Sequence, residues 1–264
     1  MLKLKNLSFS YKTTPVLGNI STEIKQGEFL GIIGPNGSGK TTLLKLIVRI
    51  LTPSKGNIFL DTKNIKDIPY STYSQKVSFL PSNLETHFPY TVEEFISTGR
   101  APYINRYGIL NAEDLQIIEE TMALFELKDY NNLNITELSD GEKQKVFLAQ
   151  TVVQQPALLI LDEPTSHLDI GHSYKIMDII KELNNKGTTI ISVLHNLNLA
   201  SEYCSNLTLM NIGKIVSSGS PSDVLTYQNI EETYKTKVLV YKNPHSGKPY
   251  VFGLPAHQLK NSKT

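Results

Sequence analysis

A layered α/β fold around a largely parallel sheet is predicted by three observations. Short apolar runs at 29–33, 77–80, 158–161 and 189–194 read as buried strands. Helical patterns separate most of them, as alternating α/β architectures require. The first run feeds a glycine-rich loop and then an apolar segment, 42–51, that reads as a helix. Before it, Leu2, Leu4, Leu7 and Phe9 alternate with polar neighbours as a half-buried strand does. Residues 84–156, between the second and third strands, are dominated by helical periodicity and read as an inserted helical subdomain. Within it Asn111 and Asp114 form a capping pattern, and Leu115, Ile118, Met122 and Phe125 share one face that packs into a core. Residues 206–217 predict a hairpin turning at Asn211-Ile212-Gly213. Residues 226–264 form a short C-terminal extension, polar and frayed from Gln258. No internal repeat interrupts this order.

Composition narrows the function classes. The 264 residues, 40% of them apolar, suffice for one large domain or two packed lobes. Lys and Arg total 26 against 25 Asp and Glu, so no basic field exists to hold a nucleic acid. Cys204 stands alone, which suits a reducing compartment. The N-terminal residues lack the apolar block of a signal peptide. Apolar runs such as 157–161 fall far short of the roughly 20 residues a membrane helix needs. A membrane role would come through a partner.

Gly34-Pro35-Asn36-Gly37-Ser38-Gly39-Lys40-Thr41 fits G-x-x-x-x-G-K-[ST], a loop whose backbone N–H groups wrap phosphates while its lysine reaches the terminal ones. Thr42 continues it into the helix. Glycines let the backbone approach the phosphates, and a helix start supplies N–H groups and a dipole that favour anions. Strand, loop and helix in this order make an incidental Gly-rich turn a poor account. At 158–163 an apolar strand delivers Asp162 and Glu163 to its C-terminal end, where ligands bind in open α/β sheets. Asp162 suits a magnesium ion, reached through water, that bridges the phosphates of a nucleotide and is shared with the Thr41 hydroxyl, and Glu163 would polarise the attacking water.

Between these two signals lies Leu138-Ser139-Asp140-Gly141-Glu142-Lys143-Gln144, which resembles the signature of the ABC ATPases, usually written LSGGQ. Pro164-Thr165-Ser166-His167-Leu168-Asp169 resembles the family's D-loop. His195 resembles its switch histidine, hydrogen-bonding the γ-phosphate, and Tyr11 its adenine-stacking aromatic. The likeness spans about residues 1–225 with every motif in order. It implies the P-loop NTPase fold of an ABC ATPase: a RecA-like core, an antiparallel β subdomain and an inserted helical subdomain. It further implies that Ser139, Asp140, Gly141 and Glu142 contact nucleotide held by a second copy of the chain, in an ATP sandwich dimer with two-fold symmetry. Taken alone, Ser139-Asp140-Gly141 is a helix cap. His87, His167, His172, His245 and His257 show no ligand spacing and read as surface or packing residues.

Ser82 departs most from the family pattern, standing where a glutamine usually reaches the metal and the lytic water. A shorter side chain there predicts weakened coupling between metal site and helical lobe, or compensation by Asn83. Asp140 replaces the first signature glycine, Glu142 its glutamine, and Asn196 the aspartate that commonly follows the histidine. Gly99, Arg100 and Pro102 resemble a Gly-Arg-x-Pro element of the importer branch serving iron-siderophores, haem and cobalamin; read without that likeness they are a helix stop and a turn. The resemblance thus implies an ATP-hydrolysing subunit of a bacterial importer, for ferric siderophores first, with haem or cobalamin as alternatives. It would sit peripherally on the cytoplasmic face of the plasma membrane, docked on a permease and fed by a substrate-binding protein. A soluble non-transport ABC ATPase and a P-loop kinase are the rival classes; the kinase would not need the signature element.

Overall fold

The computed structural model describes residues 1–83, 88–104, 108–166 and 168–255. Leu84, where the expected helical insertion begins, lies outside them, as do His87, His167, His257 and the polar end from Gln258. The strands are β1 (Leu2–Tyr11), β2 (Thr14–Ile24), β3 (Phe29–Ile33), β4 (Lys55–Leu60), β5 (Lys63–Asn64), β6 (Val77–Leu80), β7 (Leu158–Asp162), β8 (Thr189–Val193), β9 (Asn206–Asn211), β10 (Lys214–Gly219), β11 (Val238–Lys242) and β12 (Pro249–Gly253). The helices are α1 (Lys40–Ile47), α2 (Tyr70–Lys76), α3 (Val92–Ser97), α4 (Ala112–Leu124), α5 (Asp140–Val152), α6 (Ile170–Asn185), α7 (Leu197–Tyr203), α8 (Pro221–Val224) and α9 (Tyr227–Tyr234). Two compact units result, one of residues 1–61 with 192 onward, the other of 62–191, the chain passing between them within β8. No helix among the described residues is long and apolar enough to cross a membrane.

In the first unit β1 pairs antiparallel with β2 and β4. Leu2, Leu4, Leu7 and Phe9 are all buried although the parity changes after Leu4. A bulge explains this: the β1–β2 register shifts between Leu4 and Leu7, where Asn6 takes φ 50° and donates its N–H to Ser21 Oγ at 2.8 Å. Fully buried β3 pairs parallel with β9, and β9 antiparallel with β10, so this sheet is mixed rather than purely parallel. The β9–β10 turn lies where the sequence places it, with Ile212 at φ 45° and Gly213 at φ 70°, the signs a twisted two-residue hairpin needs. Helix α1 spans Lys40–Ile47, not 42–51. It ends early because Arg49 enters the left-handed region at φ 63°, and the N–H groups of Ile50 and Leu51 both return to the Lys45 carbonyl, at 2.9 and 3.1 Å. The segment after residue 225 continues this unit with α9 and the antiparallel hairpin β11–β12.

In the second unit β6 and β7 pair in parallel from Val77↔Leu158 to Leu80↔Leu161, and α3, α4 and α5 occupy the chain between them. All three helices open on capping boxes, Thr91 with Glu94, Asn111 with Asp114 and Ser139 with Glu142. The expected stripe on α4 is partly wrong. Ile118, Met122 and Phe125 are buried, but Leu115 is 54% exposed. The buried face is Asp114, Ile117, Ile118, Thr121 and Met122, because Asp114 turns inward to the Arg100 guanidinium. Arg100 donates to Asp114 Oδ1 from Nε at 2.8 Å, to the Val153 carbonyl at 3.1 Å, and stacks 4.1 Å from the Tyr103 ring centre. Beside it Gly99 is pressed on α5, where an added Cβ would lie 2.1 Å from the Gln150 carbonyl oxygen. Gly99 and Arg100 are therefore buried anchors of the lobe, while Ala101 is exposed and Pro102 half-buried in the turn that follows.

Candidate nucleotide site

The phosphate loop leaves β3 and enters α1 under tight backbone constraint. Gly34 sits at φ 147°, and a Cβ there would meet the Met210 carbonyl oxygen at 2.1 Å. Gly39, the α1 N-cap, sits at φ 98°, with Leu17 Cδ2 2.6 Å from where a Cβ would be. Only glycine fits both positions. The loop is pinned from the β9–β10 turn, since the Gly213 N–H donates to the Ser38 carbonyl at 3.1 Å and the Gly213 carbonyl accepts from Gly18 N–H at 3.0 Å. Among the described residues no side chain caps α1. The buried Ser38 hydroxyl meets no hydrogen-bond partner among the described residues, an arrangement that costs on the order of 1–3 kcal/mol. A phosphate oxygen is the acceptor such a hydroxyl lacks. Lys40 is buried, its ammonium donating to the carbonyls of Gly34 at 2.8 Å and Pro35 at 3.0 Å. These contacts hold the lysine over the loop.

The first unit carries further predicted residues. Asn36 and Gly37 are exposed at the loop tip, Pro35 and Thr41 are half-buried and Thr42 is buried. His195 is exposed two residues beyond β8, and the intervening Leu194 donates its N–H to the Ile32 carbonyl at 3.1 Å, on the strand that feeds the phosphate loop. Asn196 caps α7 by accepting from the N–H groups of Asn198 and Leu199, as an aspartate would, so this departure preserves the local structure. Tyr11 ends β1 exposed, edge-on to Phe9 with ring centres 4.8 Å apart, a placement compatible with stacking on a base. Tyr234, which the sequence did not single out, accepts a hydrogen bond from Gly34 N–H, and burial pushes its hydroxyl up to about 12.

In the second unit Asp162 ends β7 with 1% exposure. Glu163 follows at φ 58°, a left-handed conformation that costs a non-glycine residue some backbone strain. Its carbonyl accepts from Ser166 N–H at 3.1 Å and Ser166 Oγ at 2.9 Å, which hold that turn. The signature helix is tied to the same loop, because buried Gln144 donates to the Pro164 carbonyl at 2.7 Å. His172 is tied in as well: its Nδ1 lies 2.8 Å from Asp169 Oδ2 and its ring packs on Gly141, 3.2 Å from where a Cβ would be. Neither tie was legible without coordinates. Ser139 and Asp140 are exposed at the start of α5, and the Ser139 hydroxyl donates to Glu142 Oε2 at 2.6 Å. Those bonds from the Ser139 hydroxyl and N–H, with one from Tyr130, hold the Glu142 carboxyl below its usual range. Ser82 and Asn83 are exposed after β6.

A buttressed phosphate loop on an uncapped helix, and an Asp-Glu strand end tied to a capped signature helix, define a nucleotide-binding cassette of the ABC type. The chain belongs to the ABC transporter family, whose model matches residues 17–166. It is an ABC ATPase. Over 254 residues it is 34% identical to the ferric enterobactin transport ATP-binding protein FepC of Escherichia coli K12, covering 96% of this chain and 94% of FepC. It is 37% identical to the ABC transporter ATP-binding protein YvrA of Bacillus subtilis, covering 95% of this chain but only 57% of YvrA's length. The same fold occurs in a solved ABC transporter assigned to the metal-chelate type, in an inward-facing conformation. There the TM-score is 0.85 at 23% identity, with 97% of this chain and 98% of that chain covered.

Proposed function

We propose that this chain is the ATP-hydrolysing subunit of a bacterial importer for a metal chelate, a ferric siderophore in the first place. The observation that carries nucleotide binding is the buried Ser38 hydroxyl, without a partner among the described residues, beneath a helix start that none of their side chains caps, a cradle that suits phosphate oxygens. The near end-to-end match to FepC supports the cargo. Lys40 exchanges its loop carbonyls for the terminal phosphates. Glu163, held by its strained turn, orients and polarises the lytic water, and His195 donates to the γ-phosphate. The Thr41 hydroxyl and the Asp162 carboxylate are hard oxygen donors that would hold magnesium, whose charge offsets that of the phosphates when bound.

The signature start is the second half of the site, supplied by a second copy of the chain. For the Ser139 hydroxyl to reach phosphate it must leave Glu142, so nucleotide and Glu142 compete for one donor. ATP binding closes the two-fold dimer, hydrolysis reopens it, and a permease docked on the helical lobe near Ser82 to Arg100 turns closure into alternating access. In this reading residues 1–225 are the ATPase domain and 226–264 an extension, and the assembly lies peripherally on the cytoplasmic face of the membrane, served by a substrate-binding protein. Haem and cobalamin are the alternative cargoes. The test is purification of the tagged chain in mild detergent from its native cells. A multispanning permease, with ATPase stimulated by ferric siderophore rather than by haem or cobalamin, is the expected result. Recovery only as a soluble ATPase, where a control transporter stays intact, would contradict it.

A further inference from the structure

Beyond residue 225 the chain stays in the unit that carries the phosphate loop and fastens onto α7, the helix whose N-cap directly follows His195. Asn198 acts as a two-way clasp. Its Nδ2 donates to the Val251 carbonyl at 3.2 Å and its Oδ1 accepts from Val251 N–H at 2.8 Å, so one side chain stands in for a neighbouring strand on β12. One turn on, the buried Ser201 hydroxyl donates to the Pro249 carbonyl at 2.7 Å. Glu202 then gathers the hairpin tip: its carboxylate accepts from Asn243 Nδ2 at 2.9 Å and Ser246 Oγ at 2.7 Å, and its carbonyl accepts from Lys248 Nζ. Three polar side chains of one short helix, at i, i+3 and i+4, therefore all serve the extension. A seven-residue helix held by this many contacts cannot rotate without breaking the hairpin.

We propose that residues 226–255 form a positioning clamp on the nucleotide site, fixing α7 through Asn198, Ser201 and Glu202 and thereby aiming His195. The inference rests on the reading of His195 as the γ-phosphate contact. The same segment also touches the phosphate loop, through Tyr234 on α9 and the Gly34 N–H. Asn198, Ser201 and Glu202 act through His195 and are positioning residues, not catalytic ones.

The experiment is a cycle on the full chain, measuring kcat and KM for ATP together with the thermal midpoint. Asn198→Ala is expected to lower kcat roughly tenfold with KM within about twofold, since small misplacements of a reacting group cost on this scale. In a His195→Ala background the same change should alter kcat by less than about twofold, the non-additivity expected of groups that act as one. Ser201→Ala removes one buried hydrogen bond and leaves the Asn198 clasp in place; it should lower kcat in the same sense, with a fall in midpoint smaller than that of Asn198→Ala, which loses two. Wild-type kcat in Asn198→Ala, or an equal drop with and without His195, would overturn the clamp. A His195→Ala variant with unaltered kcat would instead sink the reading of His195 itself, and the clamp with it.

Discussion

Replacing Asp114 by Ala should loosen the helical lobe more than any surface change of equal size. Its carboxylate receives Arg100 at 2.7 Å from Nη2 and 2.8 Å from Nε, and Asn111 N–H at 3.0 Å, with the two side chains 2% and 5% exposed. Deleting it leaves a buried guanidinium uncompensated, about 3–5 kcal/mol, and removes half of a capping box, about 1 kcal/mol. A loss of roughly 4–6 kcal/mol is large beside the 5–15 kcal/mol typical of a folded domain. Chemical denaturation at pH 7 should show a lowered midpoint. Arg100→Met combined with Asp114→Leu should recover much of the loss, because no charge is then buried alone. The pH dependence has a definite sign. Burial raises the Asp114 carboxyl, but the Asn111 N–H and Arg100 outweigh it and the net shift is downward. A depressed carboxylate stabilises above its unfolded value, so the contribution is present above about pH 4 and is lost as pH falls through the folded value. The double variant should lack this acid-side loss. An unfolding free energy of Asp114→Ala within about 1 kcal/mol of wild type, or a double variant no better than either single one, would refute the argument.

Three further outcomes follow from the site. Lys40→Ala should reduce phosphate release at least about a hundredfold, the scale of losing a main electrostatic contact to a reacting group; activity within threefold would exclude a phosphate role. Glu142→Gln removes a negative charge from the signature start and weakens the competitor for the Ser139 hydroxyl. Its KM for ATP should fall about fivefold, equivalent to roughly 1 kcal/mol between charges ~4 Å apart in water, and an unchanged or raised KM would contradict that competition. Ser82→Gln should raise permease-stimulated ATPase severalfold by restoring reach to the metal and water; unchanged basal and stimulated rates would show that the position carries no coupling.

Local chemistry made much of this legible in the sequence. A glycine-lysine loop after an apolar run, a carboxylate pair at a strand end, and side-chain caps at Asn111 and Ser139 are signals contained within a few residues, and the structure places each as read. What escaped depends on contacts far apart in the chain. Leu115 fits the helical period of α4, yet Asp114 wins the inward position because Arg100, fourteen residues earlier, needs a buried partner. The parity change between Leu4 and Leu7 was visible, but a bulge at Asn6 is fixed only by its bond to Ser21. Gln144 reads as a polar helix residue until Pro164 is found beside it. The hairpin after residue 237 has little apolar alternation, because its anchoring is through polar side chains on α7.

The central claim is that two copies of this chain enclose ATP between the phosphate loop of one and the signature helix of the other. Glu163→Gln tests it directly, since it slows hydrolysis while leaving every proposed binding group in place. Light scattering coupled to size exclusion should show a monomer without nucleotide and a stable dimer with ATP and magnesium, lost when Ser139→Arg is added. A species that binds ATP and stays monomeric across the concentration range would contradict the account.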